Sequence, residues 1–133
     1  MLTPDEFVLE VPASVRTRAA SLRRLVLDLA PFAAERVTWD AISFYDPRRG
    51  GPIKGSICQL VHRRGVLRLD FPLGEFMDDP EHVLSSEGGR RGKRFVALGE
   101  SWPDDRTVES LIRAALAAPP KPKRLPAPPK PGD

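Results

Sequence analysis

Two runs rich in β-branched and aliphatic residues, Ser56-Ile57-Cys58-Gln59-Leu60-Val61-His62 and Val66-Leu67-Arg68-Leu69-Asp70-Phe71, flank the tripeptide Arg63-Arg64-Gly65. So short a connection permits only a tight reversal, and Gly65 supplies a residue that tolerates a positive φ. The spacing therefore predicts an antiparallel hairpin. Within its second run, Leu67, Leu69 and Phe71 alternate with Arg68 and Asp70, which predicts one buried face and one wet face.

The elements around this hairpin follow from the same kind of reading. Val15, Ala19, Leu22, Val26 and Leu29 recur at steps of four and three, the spacing of a helical face, with Pro12 suited to the first turn and Pro31 to the stop. Val37-Thr38-Trp39 and Ile42-Ser43-Phe44-Tyr45 predict one strand, interrupted near Asp40. Pro80 to Leu84 predicts a short helix capped by Asp78 or Asp79, and Arg94 to Leu98 a returning strand. Ser101 to Asp104 opens a last helix with Val108, Leu111, Ile112, Ala115 and Leu116 inward. Residues 1–11 read as an N-terminal extension and residues 12–118 as the folded domain. In residues 119–133 seven of fifteen positions are proline, which predicts an extended, disordered tail.

Charge excludes more than it suggests. The formal net charge is +3, from twenty-one Lys and Arg against eighteen Asp and Glu; the tail holds four of those cations and one carboxylate, so residues 1–118 carry seventeen of each. The excess belongs to the tail and marks no nucleic-acid face on the body. The single cysteine excludes an internal disulfide, and no run approaches the roughly twenty apolar residues of a membrane span. A cytoplasmic protein without membrane contact is the expectation.

Pro31, Glu35 and Trp39 before the first strand, Leu69, Phe71 and Gly74 around a turn, Asp79-Pro80 with Leu84, Gly92-Lys93-Arg94, and Leu111-Ile112-Arg113-Ala114 form a set. The stretch 12–118 that carries it resembles the YdhG-like family, a bacterial domain of unknown function. The chain departs from that pattern in its arginine-rich loop between Leu84 and Lys93, and in lacking proline after Ile42. The resemblance implies an α+β, two-layer fold, an antiparallel sheet covered by helices, and no settled activity. One branch is likened to frataxin-type iron chaperones, so iron enters as an alternative cofactor.

No nucleophile, base and electrophile group together in these motifs, and the expectation is a binding module and not an enzyme. Cys58 and His62 lie about 13 Å apart along a regular strand, too far for one catalytic unit. A ligand or partner on the open sheet face would meet Trp39, Phe44 and Tyr45, with Arg63, Arg64, Lys93 and Arg94 attracting an anionic group; a second copy of the chain could use the same face. Asp78, Asp79, Glu81 and His82 crowd oxygen donors and an imidazole suited to iron. Helix capping competes for those carboxylates and ranks ahead of metal binding, because a short turn does not aim four side chains at one point. Gly88 to Arg94 is basic and glycine-rich but departs from the phosphate-loop spacing. The pairs Arg48-Arg49, Arg63-Arg64 and Arg90-Arg91 would make an anion site if they converged. Nucleic-acid contact through the tail and these loops is the remaining alternative, and it would be steeply salt-dependent.

Overall fold

The Arg64-Gly65 reversal forms as its composition requires: Arg64 (φ 53°) and Gly65 (φ 76°) are both left-handed, the two-residue turn whose twist matches flanking strands. In this computed structural model, which describes residues 2–88, 91–98 and 104–118, that hairpin is the centre of a five-stranded antiparallel sheet. The elements are α1 (Pro4–Glu10), α2 (Ala13–Leu29), β1 (Ala34–Val37), β2 (Ala41–Tyr45), β3 (Ser56–Arg63), β4 (Val66–Phe71), β5 (Arg94–Ala97) and α3 (Asp105–Ala117), with 3-10 turns at Pro47–Arg49 and Gly74–Phe76. The strands lie in sequence order, each paired with the next.

Register divides the side chains between two faces. Ile42 pairs with Leu60 and Leu60 with Leu69, which pairs with Val96; these stand on the helix-covered face with Phe44, Cys58 and Phe71. Ala19, Leu22 and Val26 of α2 and Val108, Leu111 and Ile112 of α3 complete the core against them. Each large side chain fully buried there contributes about 1.5–3 kcal/mol before entropy is counted. The fold is two-layered α+β, as expected.

Several sequence-based expectations are corrected. The interruption near Asp40 is a chain reversal: β1 and β2 are separate antiparallel strands, closed by Thr38 N–H to Ala41 O at 2.8 Å. Residues 2–11 are more than an extension, because Thr3 and Glu6 form a reciprocal cap on α1 and Phe7, Val8 and Val11 enter the core. No helix forms at Pro80 to Leu84. His82 takes φ 53°, and both Asp79 carboxylate oxygens accept backbone N–H bonds, from Val83 and Leu84 at 3.0 Å. One helical turn gains too few bonds to offset its nucleation cost, and the chain instead extends into a bridge between Ser85 and Phe95. The final helix is capped by Asp104, which accepts from Thr107 N–H at 2.8 Å. The proline-rich tail, Trp102 and Arg90 lie outside the described residues.

Candidate functional site

The supposed wet face of β4 is the largest departure from the sequence reading. Asp70 is fully buried and Arg68 is 8 % exposed, although the helices among the described residues pack on the other face. Arg36, Ser43, Gln59, Asp70 and Phe95 pair in register and form a row across all five strands. Gln59 Nε2 donates to Ser43 Oγ at 3.1 Å. The Arg68 guanidinium grips Asp70 with two parallel bonds, Nε to Oδ1 at 2.8 Å and Nη2 to Oδ2 at 2.9 Å, and also donates to Glu87 Oε2 at 2.8 Å. Lys93 Nζ meets Asp70 Oδ2 at 3.1 Å. Arg68 also stacks 4.3 Å from the centre of the Phe95 ring.

This cluster is electrically balanced, two cations against two carboxylates. Burial opposes the charge on Arg68, but hydrogen bonds to Asp70 and Glu87 outweigh it and raise its pKa. The bond from Arg68 holds Glu87 below the usual carboxylate range. Arg68 thus ties Glu87 to Asp70, adding to the backbone bridge that holds Ser85 beside Phe95.

Where β3 begins and β4 ends, the sheet opens into a cleft of about 230 Å³. Lys54, Arg91 and Lys93 supply its cations, Pro52, Ile53, Pro72 and Leu73 its apolar surface, and Ser56 and Gln59 its polar surface. Both walls are fixed by backbone contacts. Asp46 N–H donates to Gly55 O and Gly55 N–H to Gly51 O, each at 2.8 Å, so the loop carrying Ile53 and Lys54 is closed on itself. Opposite, Glu75 N–H donates to Gly92 O at 2.9 Å while Gly92 N–H returns a bond to Glu75 Oε2 at 2.8 Å. That backbone bond, with Arg91 close by, holds the Glu75 carboxyl below its ordinary range. Arg91 Nη2 sits 3.0 Å from Glu75 Oε1.

The cations are unequally committed. Arg91 is neutralised by Glu75 and Lys93 by Asp70; Lys54 is exposed and has no carboxylate within ion-pair distance among the described residues. The Ser56 hydroxyl is shielded from solvent and makes no hydrogen bond. A second cleft of about 260 Å³ on the helix side shares Lys54, Ser56 and Leu73 with the first and adds Arg48 and Arg49.

The expected ligand residues do not form one site. Trp39 is fully exposed at the tip between β1 and β2, where Asp40 accepts from Arg63 at 2.7 Å and Arg64 turns the neighbouring hairpin. Tyr45 and Lys93 stand at the opposite end of the strands, roughly 15 Å away at ~3.3 Å per residue. Phe44 is buried in the core on the helix side, and Arg94 pairs with Phe71 on that same side, its guanidinium 3.8 Å from Glu75. Of the arginine pairs, Arg48-Arg49 and Arg91 approach one end while Arg63-Arg64 marks the other. For metal, Asp79 is engaged by backbone donors and Glu81 by Thr107 Oγ1 at 3.4 Å; among the described residues no three His, Cys, Asp or Glu side chains are grouped to hold an ion. Burial, then the negative charge of Asp70, push the Cys58 thiol far above its ordinary range, so it stays protonated.

Arg68, Asp70, Glu87, Ile53 and Lys54 were not candidates from sequence. Only the Arg-x-Asp spacing within β4 carried a signal, since residues two apart on a strand share a face.

These features define the class: a two-layer α+β domain with an ion-locked sheet face and a cation-rimmed cleft at one end. No family model matches the chain, nor does any curated protein or solved structure. Among the described residues no helix is long and apolar enough to cross a membrane.

Proposed function

We propose that the protein is a non-enzymatic binding module for a small anionic ligand, held in the cleft between the 52–56 loop and the 91–93 segment. The observation that carries this reading is Lys54: an ammonium with no carboxylate within ion-pair distance among the described residues, on a loop fixed at both ends, beside two further cations. The loop backbone is already ordered by its own hydrogen bonds, so binding has only the Lys54 side chain left to order on that wall. A YdhG-like affiliation belongs to the same proposal. Two residues of that resemblance have structural tasks that support it: Asp79 stabilises its turn, and Gly74 leaves room for Arg94, whose Cγ would lie 2.9 Å from an added Cβ.

Titration of the isotope-labelled full chain with sodium acetate and with inorganic phosphate tests the reading. Amide shifts should concentrate at Lys54, Ser56, Gln59 and Gly92, and Lys54→Ala should weaken binding roughly tenfold, the worth of one charge-assisted contact. Shifts confined to Trp39 and Arg64, or an unchanged affinity in Lys54→Ala, would reject the cleft.

A further inference from the structure

The cleft's charge balance and its apolar wall together specify the ligand more narrowly. Resting on the anion-binding reading above, we infer that the cleft takes a monocarboxylate with a short hydrocarbon body, and that Ile53 is the residue that selects for that body.

Charge sets the first half of the inference. Arg91 and Lys93 each spend their charge on a carboxylate of this chain, at 3.0 and 3.1 Å. Among the described residues Lys54 has no carboxylate within ion-pair distance, while Glu75 is shared by Arg91 and Arg94. A monoanion meets Lys54 with one charge, whereas a phosphate dianion calls for a second cation, and Arg91 and Lys93 are already held by Glu75 and Asp70. A ligand that drew Lys93 away would strand the fully buried Asp70 with Arg68 alone, and breaking such a buried pair is costly.

Ile53 sets the second half. It is 79 % exposed next in sequence to Lys54, on a loop whose backbone is closed by its own hydrogen bonds. Pro52 belongs to the same wall, with Pro72 and Leu73 across the cleft. An inorganic ion satisfies Lys54 and leaves this surface in water, whereas a hydrocarbon body covers it. The volume of about 230 Å³ equals roughly seven to eight waters' share of liquid, a size that suits a short chain or a single ring.

The test compares acetate, hexanoate and inorganic phosphate against the full chain by the same amide titration. Hexanoate should bind at least tenfold tighter than acetate, about 1.4 kcal/mol, and tighter than phosphate. Ile53→Ser, at an exposed position, should bring hexanoate to within about threefold of acetate while acetate itself changes less than about twofold. Equal acetate and hexanoate affinities, tighter phosphate binding, or an Ile53→Ser variant that keeps its preference would each overturn the inference while leaving anion binding intact. Hexanoate binding that survives Lys54→Ala shows apolar adsorption and overturns it too. Failure of all three anions to shift the cleft amides removes the underlying reading as well.

Discussion

Asp70 is the residue on which the open face turns. Its carboxylate is fully buried and gathers Arg68 and Lys93 within 3.1 Å. Such pairs add little net stability when complete, because desolvation offsets their attraction, yet removing one partner leaves charge uncompensated in a poor solvent. Asp70→Ala should therefore cost about 3 kcal/mol, the low end of the usual 3–5 because Arg68 keeps its bond to Glu87. Urea unfolding measures it. The double variant Arg68→Met with Asp70→Leu should recover most of that loss, since an apolar pair of similar volume fills the buried site and leaves the more exposed Lys93 and Glu87 as one charge of each sign. A single-variant loss below about 1 kcal/mol would mean that the cluster is not closed to water as the structure has it.

At the scale of elements, sequence legibility followed the range of the interactions that decide each segment. The α2 stripe and the Arg64-Gly65 turn were readable because local periodicity and backbone permissiveness determine them. The acidic, proline-led start at Pro80 predicts a helix but is equally good chemistry for an Asp-stabilised turn, and the choice is made by the bridge from Ser85 to Phe95, outside the segment itself. Arg68 and Asp70 were misread as wet because hydropathy takes no account of a counter-charge arriving from residues 87 and 93. The cleft was the least legible feature: its cations come from segments nearly forty residues apart, and Lys54 and Ile53 carry no local pattern. Residues 2–11 make the same point for the core. Arg23 bridges Asp5 and Glu35, tying α1 and β1 to α2, and Phe7 is only 5 % exposed. Phe7→Ala should thus behave as a core truncation, costing about 3 kcal/mol in urea unfolding. A dispensable extension would lose less than about 0.5 kcal/mol.

Five carboxylates spread over the described residues are anchored by hydrogen bonds, and this ties stability to pH in one direction. Asp46 is held below its ordinary 3.8 by the bond from Arg48, and Asp104 by the backbone N–H of Thr107. Glu6, Glu75 and Glu87 lie below their ordinary 4.5, through Thr3, Gly92 and Arg68 respectively. Each binds its proton more weakly folded than unfolded. The unfolded chain therefore takes up more protons as pH falls, and stability must decline there. The contribution of these groups is complete above the unfolded values and drains as pH drops through about 4.5 towards the lower folded ones. They sit at the α1 cap, the 47–49 turn, the cleft wall, the sheet-face lock and the α3 cap, so the weakening is distributed and does not release one element first. Urea midpoints measured at steps from about pH 7 to pH 3 should stay level to near pH 5 and then fall continuously, with fluorescence and circular dichroism moving together. Glu75→Gln should begin from a lower plateau and descend less steeply, because one depressed carboxyl no longer titrates. A midpoint that held or rose below pH 4.5 would show that the anchoring bonds are not made in solution, and the rigid cleft wall built on Glu75 would go with them.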